Sequence, residues 1–324
     1  MSFTYRAYGL TIRVPFACPA LTPADEGTGQ AGVDIVVRES QVPRRLPAPR
    51  AADESWDASP GSFLLRGGQR AGRFLIEAGT VVFERNPGCD DAMLAQHFTG
   101  QVLAALLRHR GLLVLHANAV QVPGGVVVIG GETGSGKSTT AAMLVRRGGR
   151  MLSDDVTALR PCDPWPRDPW PCDPRPCDQP GVVEVVPGAA QTHLARDAAE
   201  TLGYPVSAEQ LQPWRRMKAA IPTHDVMAAW AGRLRAVYLL RTSARDEVLV
   251  TPVTGTEKFL ALQECLYGPM FAEEHPALFP LMSAVAAGVP IFRLDRPSSR
   301  WSVGEVADAI LAEAKPDRAI RSGR

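Results

Sequence analysis

The sequence predicts an α/β protein in which a domain of alternating strands and helices follows a β-rich N-terminal region. Three observations lead there. Residues 1 to about 88 carry short runs of alternating apolar and polar residues, punctuated by Gly, Pro and Asp. From residue 112 onward, strand-like and helix-like stretches alternate. Between an apolar strand and a helix lies "GETGSGKS", residues 131–138, which satisfies G-x-x-x-x-G-K-[ST].

The 324 residues suffice for one large domain or two ordinary ones, and we divide them at residue 110 into regions 1–110 and 111–324. With 45% apolar residues, 21% charged residues and a net charge of +1, the composition is ordinary for a soluble chain. No long basic block occurs outside the last few residues, which argues against nucleic acid as the main partner. The most apolar region, residues 112–131, is broken by His116, Asn118, Gln121 and "PGG", so it reads as two strands and no membrane association is expected. The start, "MSFTYRAYGL", lacks the pattern of a signal peptide. Six cysteines are too few for a disulfide scaffold and form no C-x-x-C pair, so a reducing cytoplasm is expected. A homo-oligomer is compatible with the sequence.

In the N-terminal region "YGLTIRV", "GVDIVVRES", "GSFLLRG", "GRFLIEAG" and "TVVFER" predict a mostly antiparallel sheet. "DDAMLAQHFTGQVLAALLRHRG" begins acidic and ends basic before a glycine, which predicts a capped helix over about 90–110. The strands "LLVLHANAVQV" and "GVVVIG" follow, then the glycine loop and the helix "KSTTAAMLVRRG". Residues 161–180 repeat every five residues as "PCDPW PRDPW PCDPR PCDQP". Eight prolines in twenty residues preclude helix or ladder, so this is expected to be an extended insertion in the hairpin between "VTALR" and "VVEVVP". "PGAAQTHLARDAAETLG" is expected to be helical. The strands "LRAVYLLRT", "DEVLVTPVTG" and "VPIFRLDRP" then alternate with the helices "GTEKFLALQECLYG", "PALFPLMSAVAAG" and "SVGEVADAILAEA", before a frayed basic tail.

The loop dictates the chemistry. Gly131, Gly134 and Gly136 permit backbone conformations that turn successive N–H groups inward onto a polyphosphate, and the following helix adds its positive end. Glu132, Thr133 and Ser135 complete the cradle, Glu132 with no role of its own. Lys137 is expected to reach the β and γ oxygens and Ser138 to ligate Mg²⁺, with Thr139 and Thr140 nearer the α-phosphate. The expected ligand is therefore ATP with Mg²⁺.

Asp154 and Asp155 stand 17 and 18 residues after Lys137, room for one helix and a short returning strand, so a carboxylate pair is expected at the γ-phosphate. One of them, with Asp155 as the candidate beside Ser138, would hold Mg²⁺ while the other accepts a proton. Mutual repulsion is expected to raise one pKa. His116, on the strand before the loop strand, faces either the core or the nucleotide. "PWRRMKAAIP" offers Arg215, Arg216 and Lys218 to neutralise the migrating phosphoryl group.

"LHANAV", "GGETGSGKST" and "RRGGRMLSDDVTAL", with the less specific "VEVVPG", "RRMKAAIP" and "AVYLL", resemble the kinase domain of HPr kinase/phosphorylase over roughly residues 112–300. The likeness is greater to the HPr-kinase-like serine kinases of ribosomally made peptides, including lasso-peptide tailoring kinases, and "YRAYGLTI", "GSFLLRG" and "GRFLIEAG" look like that branch. The resemblance implies a P-loop kinase core related to phosphoenolpyruvate carboxykinase. It also implies a family histidine at His116, the lysine and magnesium serine at Lys137 and Ser138, and the acids at Asp154 and Asp155. The long signature loop of HPr kinase/phosphorylases is not found, since the proline repeat and "VVEVVPG" occupy that interval. The expected activity is phosphorylation of a serine hydroxyl in a peptide or protein such as a precursor peptide. The alternatives are a small-molecule kinase, a P-loop ATPase or a nucleotide-dependent peptide-binding protein.

Overall fold

The computed structural model describes residues 1–24, 32–67, 71–77, 79–162, 182–207, 210–212, 218–268 and 278–314. The first sheet comprises β1 (Phe3–Ala7), β2 (Leu10–Val14), β3 (Thr22–Pro23), β4 (Ile35–Glu39), β5 (Ala51–Ala52), β6 (Trp56–Ser59), β7 (Ser62–Arg66), β8 (Gly72–Glu77) and β9 (Thr80–Arg85). Its order is β3-β1-β2-β4-β9-β8-β7-β6-β5. Pairing is antiparallel except where β4 lies parallel to both β2 and β9. The period-two patterning read from the sequence follows this pleat: Leu10, Ile12 and Val14 are buried while Thr11 and Arg13 are half-buried.

Over the sheet lies the predicted helix, as two α-helices, α1 (Asp91–His97) and α2 (Leu103–His109), joined by a π-helical turn at Phe98–Val102. Asp90 caps the start, its carboxylate accepting from Met93 N at 2.8 Å. In the turn the Thr99 hydroxyl donates to the carbonyls of Ala95 and Gln96, a local bond that competes with the regular ladder. Phe98 packs edge-on against Phe16, which meets Phe83 in the same way at 5.7 Å between centroids.

The second half is built on β10 (Leu113–Leu115), β11 (Asn118–Val122), β12 (Gly125–Gly130), α3 (Lys137–Arg146), β13 (Arg150–Ser153), β14 (Thr157–Pro161) and β15 (Val183–Val186). A small three-stranded sheet follows: β16 (Gln191–Ala195), then α4 (Arg196–Thr201), β17 (Leu211–Gln212) and β18 (Lys218–Pro222). The chain closes with β19 (Gly232–Ser243), β20 (Leu249–Val253), α5 (Glu257–Glu264), α6 (Leu278–Gly288), β21 (Ile291–Pro297) and α7 (Val303–Glu313). The large sheet runs β10-β14-β15-β19-β12-β11-β13, with β21 beside β19 and β20 beside β21. Its centre, β12-β19-β21, is parallel. Alternate residues feed two cores. Val126 and Val128 meet α5 and α6, while Val127 and Ile129 meet α3 and α7. The architecture is mixed α/β with large mixed sheets and few helices, and among the described residues no helix is long and apolar enough to cross a membrane.

Three expectations are corrected. The stretch 112–122 is not one strand but β10 and β11, broken at His116–Ala117, because β10 pairs with β14 while β11 pairs with β12 and β13. Two backbone groups at the break are satisfied from outside it: Thr157 Oγ1 donates to Ala117 O at 2.7 Å and His116 N donates to Cys265 O at 2.7 Å. Residues 191–195, expected in a helix, form β16, because pairing with β18 buries Thr192, His193 and Leu194 and overrides local helical propensity until Arg196. Cys162 is disulfide-bonded, unlike the reduced thiols expected, whereas Cys18, Cys89 and Cys265 are free and buried. The proline repeat lies outside the described residues beyond Cys162, as do the basic tail from residue 315 and the pair Arg215 and Arg216. The hairpin flanking the repeat does form, with Pro161 opposite Val183.

The N-terminal sheet and the second half share a core in which Val156, Ala158, Val186 and Ala189 pack with Tyr8, Phe16 and Leu107. Tyr8, fully buried, donates its hydroxyl to Val156 O at 3.0 Å and its N–H to Pro187 O at 2.7 Å. A Cβ on Gly188 would stand 2.7 Å from the Tyr8 ring.

Candidate functional site

β12 delivers the chain to Gly131, whose φ is +128° and where a Cβ would collide with the carbonyl oxygen of Leu240 on β19. The loop then leaves the sheet, with Glu132, Thr133 and Gly134 exposed and Ser135 buried. Gly136, left-handed at φ +104°, turns it into the first turn of α3. No side chain caps that helix end, so its first N–H groups face the loop's concavity. From beneath, Arg296 on β21 donates Nε to Ser135 O at 2.7 Å and lies against Gly136.

Lys137 is only 7% exposed, and its ammonium donates to the carbonyls of Gly131 at 2.7 Å and Glu132 at 3.2 Å. Burial holds its pKa below the usual lysine value. The charge of Asp155 opposes this and that of Lys218 adds to it, so both residues lie within electrostatic reach of the loop lysine. Lys218 stands on β18.

Asp154 and Asp155 follow β13 and engage different partners. Asp154 is buried. Its Oδ1 accepts from Ser138 Oγ at 2.8 Å and from Asn118 Nδ2, and its Oδ2 accepts from His193 N at 2.9 Å with His193 Nδ1 at 3.2 Å. Burial alone would raise its pKa. The hydrogen bond and charge of His193, helped by Ser138, outweigh burial and the repulsion of Asp155, so the carboxyl is held below the ordinary value. The raised pKa expected from repulsion is thus not found at Asp154.

Asp155 takes φ +71°, a left-handed conformation that Asp tolerates better than most residues. That twist swings its side chain away from Ser138 and onto His116, with Nε2–Oδ1 at 3.0 Å and both groups partly exposed. The Ser138 hydroxyl expected beside Asp155 is hydrogen-bonded to Asp154 instead. His116 sits at the β10–β11 break, and its ring lies 5.6 Å from that of Tyr267. The strap 265–267 runs beside residues 114–116, with Tyr267 N donating to Val114 O at 3.0 Å.

Two residues of the cluster, Asn118 and His193, were not singled out from the sequence. Asn118 carried a usable signal, being a polar residue two positions after His116 in an otherwise apolar strand. His193 carried none in a segment expected to be helical. Asn118 Oδ1, His193 Nε2 and Ser135 Oγ are buried without a hydrogen-bond partner among the described residues. Each such group costs about 1–3 kcal/mol while it lacks a partner.

No cluster of three or more His, Cys, Asp or Glu able to hold a metal occurs among the described residues. Mg²⁺ does not need one, since it keeps several waters and takes one or two protein oxygens plus phosphates. Ser138 and Asp154, with the open Asn118 Oδ1 beside them, supply hard oxygen donors of the right kind. No family model matches the chain, and no curated protein matches it.

Proposed function

We propose that this chain is an ATP-dependent kinase of the HPr-kinase-like type, transferring the γ-phosphoryl group of ATP to a serine hydroxyl of a peptide or protein. One observation carries this reading: the adjacent acids are divided, Asp154 bound into the foot of the phosphate loop through Ser138, and Asp155 left partly exposed against His116. One faces the metal and nucleotide, the other the acceptor.

The loop amides and the start of α3 bind the triphosphate, and Lys137 exchanges its two loop carbonyls for phosphate oxygens. Mg²⁺, when bound, would supply neutralisation of the charge on the triphosphate. Ser138 and Asp154 would hold it, with Asp154 fixed by Asn118 and His193. The acceptor oxygen attacks the γ-phosphorus as the bond to the β–γ bridging oxygen breaks. Asp155 Oδ2 or Oδ1 takes the hydroxyl proton, and ADP leaves. His116 orients the Asp155 carboxylate. Lys218, and Arg216 from outside the described residues, are the candidates to neutralise the transferring group. Positioning and charge supply most of the rate, since this transfer needs little covalent help.

Incubation of a candidate precursor peptide with ATP·Mg, read by mass spectrometry, tests the proposal. Gain of one phosphate on serine, absent with Lys137→Ala, is the expected result. Free phosphate released at a rate indifferent to any added peptide or metabolite would instead make the protein an ATPase.

A further inference from the structure

A cavity of about 270 Å³ opens between the N-terminal sheet and α2, walled by Trp56, Phe63 and Leu65 from β6 and β7, Ala105 and Arg108 from α2, and Tyr267 from the strap beside His116. We propose that it is the acceptor-side specificity pocket, taking one large apolar side chain, aromatic or aliphatic, of the peptide that presents the serine. The proposal rests on the kinase reading above and names what selects its substrate.

Size argues for a side chain rather than a whole small molecule, because ligand pockets usually enclose about 300–1,000 Å³. Chemistry argues for an apolar one: Trp56 and Phe63 lie stacked, 6.0 Å between centroids at 13°, and Leu65 and Ala105 extend the apolar wall. The walls are already set. Asp53 Oδ1 accepts from Ser55 N, Ser55 Oγ and Trp56 N, fixing the turn that carries the indole. The fully buried Asp57 next to Trp56 is bound by Arg45 and Arg66. Arg108 donates to Tyr267 O at 2.9 Å, tying helix to strap. A pre-formed pocket binds without a large ordering cost.

Position links the pocket to the chemistry. Tyr267 lines it, the His116 ring is 5.6 Å from the Tyr267 ring, and Asp155 is 3.0 Å beyond His116. An extended chain covers about 3.3–3.6 Å per residue, so an anchor in this pocket and a serine at the carboxylate belong to one short peptide segment.

The test is a positional-scanning library of serine peptides, each position around the serine varied over all residue types, phosphorylated by the full-length protein with ATP·Mg. Wild type is expected to select large apolar residues at one position within about four of the serine. Ala105→Trp, which fills the cavity, is expected to lower kcat/KM for the selected peptides at least ~10-fold, with ATP affinity unchanged as the check on folding. Phe63→Ala, which enlarges it, shifts selection toward bulkier residues. Phosphorylation without apolar selection, or selection that survives Ala105→Trp, overturns the pocket and leaves the kinase reading intact. ATP binding with no phosphate transferred to any peptide overturns both.

Discussion

Substituting Asp154 and Asp155 one at a time separates two roles that adjacent identical residues would otherwise blur. In Asp154→Asn one carboxylate oxygen becomes an NH₂ group. Whichever way the amide turns, its NH₂ faces an obligate donor, Asn118 Nδ2 or His193 N, so at least one bond is lost and the remaining ones lose their charged acceptor. Hydrogen bonds to a charged group are worth about 1.5–3 kcal/mol each, and breaking a buried charged network costs about 3–5 kcal/mol. A loss of about 3–5 kcal/mol in unfolding free energy is therefore expected without nucleotide. Asp155→Asn alters a partly exposed residue whose contacts include His116, so it should cost less stability than Asp154→Asn while phosphoryl transfer falls by about 10²-fold or more. Urea denaturation of the unliganded variants measures the first quantity, and phosphopeptide formation the second. Equal destabilisation by the two substitutions, or a cost below about 1 kcal/mol for Asp154→Asn, would refute the division of labour.

Other consequences follow from the same contacts. Gly131→Ala, which drives a Cβ into Leu240 O at φ +128°, should abolish ATP binding in titration calorimetry. Gly134→Ala, with open space at φ +91°, should keep it at a cost of about 1–2 kcal/mol in stability. Asp57 is held at about 2 against an ordinary 3.8, because bonds from Arg66, Leu46 N and Arg45 outweigh its burial. Its folded pKa is depressed, so its contribution of roughly 2 kcal/mol is present above pH 4 and fades as the pH falls toward 2, as Trp56 fluorescence should report. Asp154, depressed as well, moves stability the same way over acid pH. Tyr8→Phe removes the bond to Val156 O from a buried site and should cost about 1–2 kcal/mol in thermal or urea unfolding, with a larger proportional loss of transfer than of ATP affinity.

What could be read from the sequence was what is local. The glycine-rich loop is a contiguous pattern whose residues each have a backbone or charge reason, and its strand and helix stand where the sequence placed them. The acids were legible through spacing, because one helix and one strand after Lys137 return to the loop. Their different partners were not, since these follow from a left-handed turn at Asp155 that Asp permits but does not demand. His193 reaches Asp154 only because β16 pairs with β18, a contact that no local signal encodes. The same limit concealed the break at His116, where two segments of one apolar run follow different neighbours.

Tyr8 gives the N-terminal sheet a hold on the residue immediately after the paired acids. The region 1–110 is consequently no detachable appendage. A shortened protein beginning near residue 111 would expose the apolar side of Val156 and Ala158, release the carbonyl of Val156, and remove most of the wall around the cavity proposed for the acceptor. Grafting substrate preference between such proteins would therefore mean exchanging whole chains, or redesigning the seam, rather than swapping one interchangeable module for another.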